Sequence, residues 1–177
     1  MAGQGESIGS YNLRSGLTIF PAQDAAFDRV LNDLVQKIPA RFALLTETSG
    51  LLIGFRGERG QMDLVALGSL VASDLAASQA IAQITGDHEE YQLVLRQGQR
   101  HNTFIAGAGQ HLVLFAQTPA EVPLGWSRML VLEAARQLSI VLATPPAPDA
   151  QSLDMPELTE SGLTDLFSQA LDSMWSD

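Results

Sequence analysis

The amino-acid sequence predicts a layered α+β (α/β) domain whose elements run α, ββ, α, βββ, α, followed by a linker and a C-terminal amphipathic helix. Three observations carry this expectation. Apolar residues recur at helical spacing in long segments. Short apolar or alternating runs, broken by Gly- and Ser-containing turns, lie between those segments as hairpins. The strands of the last hairpin are apolar on both sides, so helices must cover both faces of the sheet.

Residues 1–21 are rich in Gly and Ser and read as a flexible N-terminal segment, with "LTIF" as a candidate short strand. "AAFDRVLNDLVQKIP" is the first helix: Phe27, Val30, Leu31, Leu34, Val35 and Ile38 form one stripe, and Pro39 ends it. "RFALLTETSGLLIGF" is a hairpin turning at Thr48-Ser49-Gly50. Residues 56–61 read as a charged loop. "GDHEE" then separates the second helix from the alternating strand "YQLVLRQ". "HNTFIAGAGQHLVLFAQ" is a further hairpin, with its expected turn at Gly107-Ala108-Gly109. Partners in that hairpin would then sum to 217. Phe104, Val113 and Phe115 would share one face, and Ile105, Leu112 and Leu114 the other. Residues 124–143 form the third helix, with Val131, Ala134, Ala135, Leu138, Val141 and Leu142 on one side. The expected boundaries are a flexible segment over 1–21, a domain over 22–143, a Pro-rich linker over 144–156 and an acidic amphipathic helix over 157–177.

The second helix, "LVALGSLVASDLAASQAIAQI" at residues 64–84, is the most informative stretch. Asp74 is its only charge. At about 100° per residue, Leu64, Leu67, Val71, Leu75, Ser78 and Ala82 fall on one face. Ala66, Leu70, Ser73, Ala77, Ile81 and Ile84 fall roughly opposite, and Gly68, Ala72, Ala76 and Ala80 form a strip of small residues between. One face can lie on a sheet. The other needs a second partner: a second copy of the chain is favoured, and the long loops or the C-terminal helix of the chain itself are the alternative. The segment has about the length of a membrane span, but recurrent Ser, Gln and Asp and the lack of flanking aromatic or basic anchors argue against insertion.

Composition excludes several functions. The net charge of −10 is concentrated at the C-terminus, where residues 144–177 hold seven acids and no base. No basic patch is available for nucleic acid or for an anionic membrane surface. The chain has no cysteine, which fits a reducing cytoplasm and removes thiolate chemistry. His88, His101 and His111 show no metal-ligand spacing. There is no "GxSxG" elbow, and Lys37 in "VQKIP" is no P-loop lysine. No catalytic residue, metal or cofactor is therefore expected. Arg56 and Arg59 in "FRGERGQ" offer a contact to an acidic partner, or an arginine supplied in trans to a GTPase. The plainer reading is a solvated turn.

The serial order of elements, the "ALLTETSGLLIGF" hairpin, the small-residue second helix and "PLGWSRMLVLEAARQL" at residues 123–138 resemble the roadblock/LC7 domain, in its bacterial GTPase-regulator branch. The resemblance covers residues 22–143. It implies a five-stranded antiparallel sheet with the second helix on one side and the first and third on the other. Such domains pair through the third strand and second helix into a ten-stranded sheet. For this chain it implies an interface drawn from Leu67, Val71, Ala76, Ala77, Ile81, Tyr91, Leu93 and Leu95. It also implies a non-enzymatic homodimer that binds or regulates a Ras-like small GTPase. An adaptor without a GTPase partner, recruiting another protein through its C-terminal helix, is the alternative. In that helix Leu163, Leu166, Phe167, Leu171 and Met174 form an apolar stripe suited to a groove.

Overall fold

The computed structural model describes residues 10–13, 15–86 and 93–144. The chain divides into two units, Met1–Pro145 and Pro146–Asp177, and the described residues belong to the first. The linker from residue 145, the C-terminal helix with its apolar stripe, Tyr91 and His88 lie outside the described residues.

The elements are β1 (Tyr11–Asn12), β2 (Thr18–Ile19), α1 (Pro21–Lys37), β3 (Phe42–Glu47), β4 (Leu52–Gly57), α2 (Leu64–Thr85), β5 (Leu93–Gln97), β6 (His101–Ala108), β7 (Leu112–Pro119) and α3 (Leu124–Ala143). Strands β3 to β7 form one antiparallel sheet in the order β4-β3-β7-β6-β5. The central strands are buried on both sides. Leu44 and Leu45 are adjacent on β3, and both have no exposure. Each such side chain contributes about 1.5–3 kcal/mol by leaving water.

Two cores result. Phe27, Leu31 and Leu34 of α1 and Val131, Ala135 and Leu138 of α3 pack with Ala43, Leu45, Phe104, Ala106, Leu112 and Leu114. On the opposite face, Leu64, Val71 and Leu75 of α2 pack with Phe42, Leu44, Ile105, Val113 and Phe115. Phe42 stacks on Phe55 and Phe115 there, at centroid distances of 5.7 and 5.4 Å. The layering matches the expectation of one helix on one side and two on the other.

Helix α2 sits very close to the β3–β4 turn. Gly50 has φ 88°, and a Cβ on it would lie 2.7 Å from Ser69 Cα. A Cβ on Gly68 would lie 2.9 Å from the Gly50 carbonyl oxygen and 3.1 Å from Thr46 Cγ2. The small residues at this end of α2 therefore serve the sheet. Further along the same strip, Ala76 and Ala80 are exposed.

Two expectations are corrected. The β6–β7 turn is Gly109-Gln110-His111, not Gly107-Ala108-Gly109. Ala108 pairs with Leu112 and Phe104 with Ala116. Gly107 stays in the strand beneath α2, where an added Cβ would meet Leu75 at 3.8 Å. Gly109, at φ 73°, makes the left-handed turn that glycine adopts without steric cost. The shift of three residues changes the pairing parity, so Phe104 shares its face with Leu112 and Leu114.

The second correction concerns the N-terminal segment. Its described part is a packed hairpin. Leu13 and Ile19 are 4% and 0% exposed and join the α1/α3 core. The Tyr11 hydroxyl donates to Asp24 Oδ1 at 3.0 Å. Burial, and then that carboxylate, push the Tyr11 pKa well above its ordinary value. The backbone N–H of Ser15 donates to Glu47 Oε1 at 2.7 Å, and Ser49 Oγ to Glu47 Oε2 at 2.6 Å. These bonds offset the cost of burying a carboxylate with no exposure. The candidate strand in "LTIF" is present as Thr18–Ile19, whereas the Gly- and Ser-rich composition hid its partner Tyr11–Asn12.

Two glycine replacements test the account in opposite directions. Gly68→Leu forces α2 away from the Gly50 carbonyl and is expected to cost about 2 kcal/mol in urea unfolding. Gly125→Ala, with nothing within 4 Å of the added Cβ, is expected to stabilise by up to about 1 kcal/mol. Equal effects would contradict the close helix–turn contact.

Candidate interaction surface

Helix α2 begins at Asp63, whose Oδ1 accepts from Val65 N at 3.1 Å and Ala66 N at 3.0 Å. This satisfies two of the otherwise unpaired N–H groups of the first turn. The helix then divides along its length. Leu64, Gly68, Val71, Ala72, Leu75 and Ala82 are buried against the sheet. Val65, Leu70, Ile81 and Ile84 point outward and are 69, 68, 56 and 86% exposed. Ala66, Ser73, Ala76, Ala77 and Ala80 are exposed beside them. The outward surface is thus an apolar strip about as long as the helix, and patches of this kind mark interaction sites.

Asp74 is largely enclosed at 18% side-chain exposure, while its partner Arg96 on β5 is 61% exposed. The guanidinium binds both carboxylate oxygens, Nη1 to Oδ2 and Nη2 to Oδ1, the latter at 2.7 Å. Hydrogen bonding to Asp74, then its charge, raises the Arg96 pKa. The pair neutralises the one charge on α2 and ties the helix to the strand at the sheet edge. β5 ends the strand order and pairs only with β6 among the described residues. Alongside the N-terminal half of α2 runs a groove of about 350 Å³ lined by Phe42, Met62, Leu67, Leu70, Phe115 and Arg41.

The expected site residues separate on this surface. Ala76, Ala77 and Ile81 face outward with the strip. Leu67 is half-buried and packs against the α2-side core. Val71 is 3% exposed and faces the sheet, so it is removed from the interface set; the helical period places it with Leu64 and Leu75 on the sheet-facing side. Leu93 and Leu95 lie on the edge strand, Leu93 packed toward the α1/α3 core and Leu95 39% exposed.

The two arginines also part. Arg56 is not in a loop; it lies on β4 opposite Ala43. Its guanidinium pairs with Asp28 of α1, on the side of the sheet away from α2. The strand continues to Gly57, further than the charge pattern implies, and this carries Arg56 to the α1 face. Arg59 stays in the exposed β4–α2 loop. Sequence reasoning missed Val65, Leu70 and Ile84 as the most exposed apolar residues, although two of them lie on its outward face. It also missed Arg96; the lone charge at Asp74 is the signal that calls for a cation nearby.

No set of three or more His, Cys, Asp or Glu side chains comes together as a metal site would require among the described residues. His101 opens β6 opposite Pro119, and His111 lies in the β6–β7 turn. The geometry offers an apolar helix face and a strand edge as surfaces for binding.

No family model matches the chain, and no curated protein matches it. Solved structures do. The gliding protein MglB from Thermus thermophilus is 26% identical, with a TM-score of 0.65 covering 71% of this chain and 94% of that one. MglB from Myxococcus xanthus is 22% identical, with a TM-score of 0.66 over 74% of this chain and all 100% of that one. A roadblock/LC7 domain from Streptomyces avermitilis is 18% identical, with a TM-score of 0.60 over 66% and 98%.

The two faces of α2 predict opposite responses. Val71→Asp places a carboxylate against the sheet core and is expected to cost about 4 kcal/mol in a thermal melt. Arg96→Ala removes the exposed partner of a half-enclosed pair and is expected to cost about 1 kcal/mol, a difference that shrinks in about 1 M salt. A mild Val71→Asp phenotype would reverse the assignment of the faces.

Proposed function

We propose that this chain, which has the roadblock/LC7 fold, is a non-enzymatic homodimeric module that binds or regulates a Ras-like small GTPase. The outward strip of α2 carries the reading. A helix with one apolar face on its own sheet and another in water is unfavourable in a monomer, since each large apolar side chain left exposed forfeits about 1.5–3 kcal/mol. A second copy of the same helix covers it. Pairing of the two β5 edges continues the sheet into ten strands, and Leu93, Leu95 and Tyr91 belong to that seam.

The small residues Ala76, Ala77 and Ala80 allow two such helices to approach closely. The N-terminal part of the strip, with Val65, Leu70 and the adjoining Arg59 loop, is left for the GTPase. Arg56 is withdrawn from that surface because it serves the α1 side. The C-terminal stripe of Leu163, Leu166, Phe167, Leu171 and Met174 is proposed to bind an apolar groove in the assembly or on a partner. Helix α2 is the one described helix long and apolar enough to cross a membrane. In this reading its apolarity is divided between sheet and partner instead of lipid, and the cytoplasm is the proposed location.

Sedimentation tests the proposal. The wild-type chain at micromolar concentration is expected near twice 19.0 kDa. Ala77→Glu with Ile81→Asp is expected to give a folded monomer by circular dichroism. With a Ras-like GTPase from the same cell, Arg59→Glu together with Leu70→Ser is expected to weaken binding at least tenfold without breaking the dimer. A wild-type monomer would overturn the dimer. A dimer that neither binds that GTPase nor alters its nucleotide hydrolysis would leave the adaptor reading in its place.

A further inference from the structure

The side chain of Gln23 does two tasks at once. It is 7% exposed, in the first turn of α1. Its Oε1 accepts from the backbone N–H of Phe20 at 3.1 Å, where the N-terminal hairpin enters the helix. Its Nε2, with two hydrogens, donates to the carbonyls of Val141, Leu142 and Thr144 at 3.1, 3.2 and 3.1 Å, one hydrogen being shared between two of them. Those carbonyls belong to the end of α3, where the last C=O groups have no partner within the helix. Thr144 adds its backbone N–H and its Oγ1, which both donate to the Ile140 carbonyl, at 3.0 and 2.7 Å. Neither reaches the carbonyls that Gln23 holds.

One amide thus joins the entry of α1 to the exit of α3, far apart in sequence. The hairpin on the entry side has its own anchors. Leu13 and Ile19 are buried, Tyr11 holds Asp24 one residue past Gln23, and Ser15 is held by Glu47. We propose that Gln23 is a latch through which the N-terminal hairpin controls the last turn of α3. When the hairpin is seated, Phe20 fixes the Gln23 amide, and its NH₂ group closes the α3 terminus. When the hairpin lifts, the amide loses its acceptor-side anchor and the three carbonyls lose their donor. Any partner that grips residues 10–20 therefore alters the α3 exit without touching it. This device does not depend on the dimer reading.

Amide hydrogen exchange on the full chain tests it, with wild type, Gln23→Met, Leu13→Asp and the double variant. Gln23→Met keeps the length and removes the bonds. It is expected to speed exchange at residues 140–144 about fivefold or more, and to speed it at residues 19–21 as well. Leu13→Asp, which unseats the hairpin, is expected to speed exchange at residues 140–144 by a similar factor. The double variant should show no further rise there. If Leu13→Asp does not fold, Tyr11→Phe replaces it with a smaller effect of the same pattern. Unchanged exchange at residues 140–144 when the hairpin is loosened, or effects of the two changes that simply multiply, would overturn the latch.

Discussion

Leu44 and Leu45 are neighbours in sequence, point to opposite faces of the sheet, and are both fully buried. Everything else in the domain follows from that demand. Five strands spaced about 4.8 Å apart make a sheet roughly 24 Å wide. A helix with its side chains covers about 10 Å of it. Two helices, α1 and α3, close one face. On the other, among the described residues, there is only α2, and the groove beside Phe42 and Phe115 is the remainder it does not reach. The chain draws α2 down as tightly as backbone atoms permit, with Gly50 and Gly68 in contact, and still leaves Leu70, Ile81 and Ile84 in water. The uneven layering and the apolar outward strip are one fact.

Much of this was legible in the sequence. The stripe from Phe27 to Ile38, the turn at Thr48-Ser49-Gly50 and the extent of α3 were all set by periodicity and by Gly, Ser and Pro at the boundaries. The two faces of α2 were also legible, because a 3.6-residue period separates Leu64, Val71 and Leu75 from Leu70, Ile81 and Ile84. The register of β6 and β7 was not. Two glycines two residues apart, Gly107 and Gly109, offer the same turn chemistry. Which one turns is decided by α2 lying over Gly107, a tertiary contact that no local pattern records.

The N-terminal hairpin and the arginines were misread for a related reason. The hairpin's order comes from burial of Leu13 and Ile19 and from the Glu47 carboxylate, all long-range, while its composition is that of a loop. Arg56 carries a charge, and charge suggests a loop; its pairing with Ala43 on the neighbouring strand and with Asp28 places it on the α1 face of β4. The Gln23 amide is the extreme case. A glutamine in a first helical turn looks like a local cap, and its bonds to the end of α3 become visible only once the two helices lie side by side.

The central claim is that a second copy of this chain covers the outward face of α2. The absence of cysteine makes thiol labelling a direct test. Single cysteines replace Ala77 and Ile81 on α2, and Trp126, Met129 and Ile140 on α3, in otherwise unaltered chains. The account predicts that α2 thiols react slowly at high protein concentration and progressively faster on dilution, while α3 thiols react fast at every concentration. Rapid reaction at Ala77→Cys and Ile81→Cys, independent of concentration and equal to that on α3, would contradict it.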